Sequence, residues 1–305
     1  MISVLIATKN RPEEIISCIK SLLKNSYQDF EIIVIDQSTN LKTRNVLLSL
    51  RDNRIIYIQN ITGGKSSTLN RGISIARGNI FAFTDDDCIV NSSWLATIER
   101  TFTQQANVDA IFGKTLPYLP NQHKDQICPC IFLNKDKKTI TKLCIHYQYI
   151  GFGNNMAVRK SVFNTLGNFK QWLGPGSIGS NAEDAEFALR LLSCGKKILY
   201  SPQMVVFHNK WLTPEEMRKQ NLSYACGEMA CYCYFYFQNH LFAKPIVLEN
   251  IHDSFQKAGR ILENILLFRW KDIGMNEIHH VIAEASFRTR GLLVGLFYSL
   301  IDPIG

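Results

Sequence analysis

The chain has 305 residues, of which 46% are hydrophobic and 20% charged, and its formal net charge at pH 7 is +8. This composition excludes a disordered chain and supplies a full apolar core, as one large domain or one domain with an appendage. The positive charge suits an anionic ligand or surface. The basic residues are dispersed, however, and form no arginine-rich helix or finger pattern, which argues against nucleic-acid binding.

Predicted strands and helices alternate at short intervals over the first 112 residues. Continuous apolar runs predict strands buried on both faces, and apolar residues at helical spacing predict the helices between them. The predicted strands occupy residues 2–7, 30–35, 55–58, 80–83 and 108–112. This alternation predicts an α/β fold in which flanking helices cover a mostly parallel sheet. Ligands of such sheets bind beyond the carboxyl ends of the strands.

The second half of the chain is less regular. Residues 114–148 contain three prolines and a lysine cluster, and a long loop of this kind is often a lid or a recognition element. A strand is predicted at 149–158, a helix at 182–192 and two short strands at 198–200 and 204–207. From Pro214 onward the pattern is helical and rich in aromatic residues.

Nine cysteines are present, and the first residues lack the basic and long apolar regions of a secretion signal, so we expect reduced thiols. No stretch reaches the roughly 18 apolar residues of a membrane span. The apolar residues 291–301 are too few to cross a bilayer, so they pack on the core or lie at a bilayer interface. We therefore predict a cytoplasmic protein with peripheral contact to the inner face of the cell membrane.

The most informative pattern is an acidic run at the end of a predicted strand. Asp85, Asp86 and Asp87 directly follow the strand and Thr84. Adjacent carboxylates repel one another, and a divalent cation that carries a phosphorylated ligand would relieve this repulsion. Asp85 and Asp87 project from the same side of an extended chain, and Mg²⁺ or Mn²⁺ bound to a diphosphate typically takes one or two protein carboxylates. Simple capping of the next helix is the alternative.

Three other features add chemistry to this run. Glu183 and Asp184 begin a predicted helix, whose N-terminus favours an ionised carboxylate that can accept a proton from a hydroxyl. His208 follows an apolar stretch, and it is either a metal ligand that suits Mn²⁺ or a structural histidine. The segment 63–66 resembles part of a phosphate-binding loop but lacks the required first glycine. Lys65 is therefore a diphosphate contact or a solvated lysine.

Together these motifs resemble family 2 glycosyltransferases, the inverting nucleotide-sugar enzymes with a GT-A fold. The seven motifs that carry the resemblance lie at residues 4–12, 30–36, 64–73, 85–87, 153–159, 179–192 and 200–208. The resemblance implies a GT-A-type, Rossmann-like, nucleotide-sugar-binding catalytic domain over residues 1–210. The remaining residues, 211–305, then form a helical C-terminal region that contacts the acceptor or a membrane.

The resemblance also implies a role for each site residue. The implied roles are catalytic base for Asp184; donor binding for Thr8, Asp36, Lys65, Asp85 and Asp86; acceptor side for Asn154, Trp172 and Glu183; and ligands of Mn²⁺ or Mg²⁺ for Asp87 and His208. Cys88 stands where the family often has an acidic residue. The implied reaction is a hexosyltransferase reaction from a nucleotide sugar, with UDP-sugar favoured, to a saccharide or lipid-linked acceptor in polysaccharide or glycolipid assembly.

Transfer of a single sugar is expected, because the Gln-x-x-Arg-Trp motif of processive synthases is absent. Two alternatives stay open. A sugar nucleotidyltransferase has a similar α/β nucleotide fold, but it would need a glycine-rich basic loop after the first strand, and residues 8–12 contain no glycine. A non-catalytic, membrane-associated binding protein with the same fold is the second alternative. The intact Asp85, Asp87 and Asp184 favour an enzyme over this binding protein.

Overall fold

The computed structural model describes residues 1–60, 62–143, 146, 149–266 and 275–304. The chain divides into two compact units. The first comprises Met1–Leu143, Tyr147–Gln171 and Glu183–Met217, and the second comprises Cys144–His146, Trp172–Ala182 and Arg218–Gly305. No helix in the described ranges is both long and apolar enough to span a bilayer. The division of function between residues 1–210 and 211–305 stays a prediction.

A mixed sheet forms the centre of the first unit. Its strands are β1 (Ile2–Thr8), β2 (Phe30–Asp36), β3 (Ile55–Gln59), β4 (Ile80–Phe83), β5 (Cys88–Val90), β6 (Ala110–Pro117), β7 (Lys138–Ile140), β8 (Met156–Arg159) and β9 (Ile198–His208). Their order is β3-β2-β1-β4-β8-β6-β9-β5, and β7 also pairs with β9. The first four strands run parallel, as does β6 with β9, whereas β8 is antiparallel to both of its neighbours.

Helices flank this sheet and bury its apolar strands. They are α1 (Pro12–Leu23), α2 (Lys42–Ser49), α3 (Lys65–Ile73), α4 (Trp94–Gln104), α5 (Lys160–Leu166) and α6 (Glu183–Ser193). Pro12 begins α1, where a missing backbone N–H costs no hydrogen bond. The buried residues of α1 recur at helical spacing and join those of β1, β2 and α4 in one core. The α/β prediction with flanking helices is therefore confirmed.

The second unit is helical, as the sequence predicts from Pro214 onward. Its helices come from α7 (Pro214–Phe237), α8 (Lys244–Leu266) and α9 (Met275–Ile301). A Cβ on Gly291 would lie 2.3 Å from the carbonyl oxygen of Cys226, and a Cβ on Gly295 would lie 2.4 Å from that of Ala230. Glycine at both positions therefore allows α9 to approach α7 closely. Residues 267–274 of the predicted helical region lie outside the described residues.

Candidate active site

The carboxyl edge of the sheet brings together residues that are far apart in the sequence. Thr8 and Asp36 end β1 and β2 and are register partners. The run Asp85–Asp87 connects β4 to β5, and His208 ends β9 directly opposite Cys88. Because parallel strands end at one edge, strand order alone places these side chains in one region.

Asp86 and Asp87 are buried side by side and share one guanidinium. Asp86 accepts hydrogen bonds from Thr8 Oγ1 at 2.7 Å and from Arg11 Nη1 at 2.9 Å. The same Arg11 nitrogen lies 3.0 Å from Asp87 Oδ2. Burial and the charge of Asp87 raise the pKa of Asp86 to about 6, against the opposing effects of Arg11 and Thr8. The sequence-based prediction missed Arg11, because it assigned the positive charge beside these aspartates to a metal alone.

His208 faces the other oxygen of Asp87. His208 Nε2 lies 3.2 Å from Asp87 Oδ1, and His208 Nδ1 lies 2.7 Å from the carbonyl oxygen of Pro129, to which it donates. Burial lowers the pKa of His208, but contacts with Asp87, Cys128 and Pro129 outweigh this effect and raise it to about 10. Burial alone would raise the pKa of Asp87, whereas the close approach of His208 and Arg11 lowers it overall.

These contacts fit a divalent cation between Asp87 and His208. Asp87 Oδ1 is buried and has no hydrogen-bond partner among the described residues. Because His208 Nδ1 donates to a carbonyl, the ring keeps the proton on Nδ1 when Nε2 loses its own, and the Nε2 lone pair can then bind a metal. Candidate ligand atoms of Asp87, Cys88 and His208 lie within 4.8 Å of one another. Burial raises the pKa of the Cys88 thiol, so the oxygen and nitrogen pair is the suitable donor set.

Lys65 joins the aspartate run to the second acidic pair. As the first residue of α3, it places Nζ 2.6 Å from Asp85 Oδ1 and 3.3 Å from Glu183 Oε1. Burial opposes the charge of Lys65, but Asp85 and Glu183 outweigh it and raise the pKa of Lys65. Burial is the largest cause that raises the pKa of Glu183. Glu183 is thus held by a charged contact inside the first unit.

Asp184 lies beside Glu183 with its carboxylate fixed by backbone groups. Asp184 Oδ2 accepts a hydrogen bond from the Gly153 N–H at 2.6 Å, and Oδ1 accepts one from the Ala185 N–H at 2.9 Å. A Cβ on Gly153 would lie 2.8 Å from the Asp184 Cβ, so a larger residue there would displace the carboxylate. A small pocket at this point is lined by Lys65, Leu69, Phe83, Thr84, Asp85, Gly153, Met156, Phe169, Glu183 and Asp184.

Two buried polar groups near these residues lack partners within the described ranges. Asn154 Oδ1 accepts a hydrogen bond from Thr115 Oγ1 at 3.1 Å, whereas its Nδ2 has no partner. Thr84 Oγ1 is likewise unpaired. Buried polar groups are rarely left unpaired, so both are candidate ligand contacts. Asn154 is among the residues predicted from the sequence, whereas Thr84 is not, and its place directly before the acidic run was its one signal.

The two remaining predicted site residues, Asp36 and Trp172, make hydrogen-bond or ring contacts with other residues. Asp36 is fully buried, and its carboxylate accepts hydrogen bonds from the Ser38 N–H at 2.8 Å and the Tyr57 hydroxyl at 3.1 Å. Trp172 belongs to the second unit. There its ring stacks on Tyr298 with the centroids 4.6 Å apart. The donor role of Asp36 and the acceptor role of Trp172 stay predictions.

Comparison with known proteins identifies the class. Residues 3–167, more than half of the chain, match the family model of Glycosyl transferase family 2. The chain therefore belongs to this family. The family prediction is confirmed.

Individual relatives match over part of their lengths. The O-antigen chain rhamnosyltransferase WbaN of Salmonella anatum is 29% identical over 200 residues, which are 63% of this chain and 61% of the relative. A GalNAc(5)-diNAcBac-PP-undecaprenol β-1,3-glucosyltransferase of Campylobacter jejuni is 35% identical over 121 residues, 38% of each chain. Matches to three curated relatives span between 35% and 61% of their own lengths.

Solved structures share the fold. S. aureus TarS 1–349 in complex with UDP-GlcNAc has a TM-score of 0.62 and 16% identity, and the match covers 99% of this chain and 88% of TarS. The mannosyltransferase PcManGT from Pyrobaculum calidifontis, in complex with GDP-Man and Mn²⁺, has a TM-score of 0.57 and 15% identity, with 99% and 87% covered. The predicted GT-A-type fold with additional C-terminal helices is confirmed.

Proposed function

We propose that this chain transfers a single sugar from a nucleotide-diphosphate sugar to an acceptor hydroxyl, with inversion at the anomeric carbon. The observation that carries the proposal is the pocket in which Lys65 links Asp85 to Glu183, with Asp184 beside them. Carboxylates from two distant segments meet there on the carboxyl side of β4. Membership of Glycosyl transferase family 2 supports a sugar nucleotide as the donor.

On the donor side, Asp87 and His208 would hold Mn²⁺ or Mg²⁺, and the metal would neutralise charge that develops on the departing diphosphate. Asp87 Oδ1 faces His208 and accepts no hydrogen bond from the described residues, which supports this assignment. The solved structure of PcManGT is a complex with GDP-Man and Mn²⁺. Five residues would position the nucleotide and the sugar: Thr8, Asp36, Lys65, Asp85 and Asp86.

On the acceptor side, Asp184 would act as the base. Its oxygens each accept one backbone N–H, which holds the carboxylate in place and leaves lone pairs for a substrate hydroxyl. The acceptor oxygen forms a bond to the anomeric carbon, its proton moves to Asp184, and the bond from that carbon to the diphosphate breaks, with the electron pair leaving on the diphosphate. Asn154, Glu183 and Trp172 would contact the acceptor.

The names of the relatives suggest the substrate class. TarS is described with UDP-GlcNAc, and the Campylobacter jejuni relative acts on an undecaprenol diphosphate saccharide. We therefore favour a UDP-sugar donor, and a saccharide or lipid-linked acceptor in polysaccharide or glycolipid assembly. The second unit exposes apolar side chains, among them Leu248, Phe255 and Leu262 of α8. These side chains support peripheral membrane contact, and co-sedimentation with anionic liposomes tests it.

The test is a panel of UDP-, GDP- and dTDP-sugars with and without Mn²⁺, in which release of the nucleotide diphosphate is measured. We expect one donor to be hydrolysed slowly in a metal-dependent way. Asp87→Ala and Asp184→Asn should each lower turnover by about 10²–10³-fold. Asp29→Asn, an exposed aspartate before β2, is the matched control and should retain full turnover. Absence of both turnover and metal-dependent binding of any donor would refute the proposal.

A further inference from the structure

Arg11 occupies a fixed position beside the carboxylate that we assign to the metal. It is the residue before α1, Pro12 follows it, and its carbonyl oxygen accepts a hydrogen bond from the Ile15 N–H at 3.1 Å. From this anchored backbone, one guanidinium nitrogen contacts both Asp86 and Asp87. The side chain is 40% exposed, so the contact joins a half-exposed cation to two buried anions.

The two oxygens of Asp87 face different groups. Oδ2 lies 3.0 Å from Arg11 Nη1, whereas Oδ1 faces His208 Nε2 at 3.2 Å and has no hydrogen-bond partner in the described part of the chain. Arg11 therefore does not occupy the oxygen that is left for a cation. Instead it fixes the rotation of the carboxylate, and this rotation points Oδ1 towards the histidine.

Asp86 holds Arg11 in place for this purpose. One Asp86 oxygen accepts the Thr8 hydroxyl and the other accepts Arg11 Nη1, so both oxygens of this buried carboxylate have partners. Thr8 ends β1 and thus belongs to the rigid sheet. The series Thr8, Asp86, Arg11 and Asp87 extends from the sheet to the unpaired oxygen through hydrogen bonds of 2.7–3.0 Å.

We propose that Arg11 is a positioning residue that orients Asp87 for divalent-cation binding, with Asp86 and Thr8 as its support. This proposal rests on the proposed function for the identity of the metal site. It makes a prediction of definite sign. If Arg11 acted only through its positive charge, its removal would strengthen cation binding, because a repelling charge would be lost. If Arg11 orients the carboxylate, its removal weakens binding, since hydrogen-bonded supports of a metal ligand typically contribute 10–100-fold in affinity.

The experiment measures Mn²⁺ affinity by electron paramagnetic resonance of free Mn²⁺, without any nucleotide. The proteins are wild type, Arg11→Gln, Arg11→Lys and the control Arg54→Gln, whose arginine pairs with Asp52 elsewhere in the unit. Arg11→Gln should weaken Mn²⁺ binding by about 10–100-fold. Arg11→Lys keeps the charge on a shorter side chain that lacks the planar guanidinium, so its Mn²⁺ affinity should fall between those of wild type and Arg11→Gln. Arg54→Gln should bind like wild type.

An unchanged or tighter dissociation constant in Arg11→Gln would overturn the proposal, as would a wild type that binds no Mn²⁺. Thermal melting in EDTA identifies a variant that fails to fold, and in that case Arg11→Lys provides the decisive comparison. The proposed transferase function fails separately. If no donor is turned over or bound in a metal-dependent way while Arg11→Gln still weakens Mn²⁺ binding, the orienting role stands and the transferase assignment falls.

Discussion

Two buried acidic groups, the single carboxylate of Glu31 and the adjacent pair Asp86 and Asp87, lie at opposite ends of the parallel strands of the first unit. Near the start of β2, Glu31 accepts hydrogen bonds from Ser3 Oγ at 2.6 Å and from the Arg77 N–H and Nε at 2.7 and 2.8 Å. At the carboxyl edge, Asp86 and Asp87 share a single guanidinium nitrogen, and one Asp87 oxygen has no hydrogen-bond partner in the described ranges. Both groups are buried, but protein donors contact both oxygens of Glu31, whereas Asp86 and Asp87 share one arginine and repel each other.

The directions of the pKa shifts distinguish Glu31 from Asp86. Burial alone would raise the pKa of Glu31, but hydrogen bonds from Ser3 and Arg77 outweigh it and lower the pKa. Burial and the neighbouring Asp87 raise the pKa of Asp86, whereas for Asp87 burial is outweighed by His208 and Arg11, which lower its pKa. A carboxylate whose partners all come from the protein stabilises the fold, whereas crowded carboxylates with an unpaired oxygen are suited to a cation from outside. The comparison therefore separates a structural acidic group from a ligand-binding one.

The largest expected effect on stability comes from removing the carboxylate of Glu31. Glu31→Ala should lower the free energy of unfolding by about 2–4 kcal/mol, because it leaves buried donors unpaired and opens a cavity. The charge of Arg77 adds little to this loss, since 67% of its side chain is exposed. Urea denaturation measures the change. Turnover per folded molecule should be unchanged. A variant as stable as wild type would show that the hydrogen bonds of Glu31 do not stabilise the fold.

The second prediction concerns the repulsion among Asp85, Asp86 and Asp87. In EDTA at pH 7.5, Asp86→Asn should raise the free energy of unfolding by about 1–2 kcal/mol, because it removes one of three adjacent negative charges. Turnover should fall, because Asp86 supports Arg11. Glu31→Gln is the matched control: it also replaces a buried carboxylate by an amide, yet it should destabilise the protein. If both amide variants shift stability in the same direction, the distinction between the two groups is wrong.

Much of the fold was predictable because it depends on local patterns. Continuous apolar runs mark β1 and β2, and their parallel order follows from the helices between them. A strand was predicted at 149–158, which overlaps β8, but the antiparallel pairing of β8 with β4 and β6 was not, because it depends on contacts distant in sequence.

The site was predictable where chemistry coincides with the end of a strand. Asp87 and His208 satisfy this condition, since each lies at a junction of the sheet edge. Arg11 and Pro129 do not. Arg11 contacts Asp86, which is 75 residues later in the sequence, through its side chain. Pro129 contributes only a backbone carbonyl, from an irregular loop, to His208. Glu31 was equally hidden, because a single acid within an apolar strand looks the same whether it is exposed or matched by buried donors.

The smallest expected effect is the change with pH in the contribution of Glu31 to the free energy of unfolding. Its pKa in the folded protein is lowered from 4.5, so its contribution to stability is complete above the unfolded value and is lost as the pH falls through the folded value. Glu31→Gln should therefore be about 1–2 kcal/mol less stable than wild type at pH 7, with a difference that narrows below about pH 4.5.

Urea denaturation in EDTA from pH 7 down to the acid limit of folding measures this narrowing. Asp86 titrates in the opposite sense, because its pKa is raised, but it is present in both proteins and its effect cancels in the difference. Glu13→Gln changes an exposed residue of α1 and serves as the control, and its stability at pH 7 should stay close to that of wild type. A difference between wild type and Glu31→Gln that stays constant with pH would mean that the variant acts through packing, and that Glu31 is not held as a charged partner of Ser3 and Arg77.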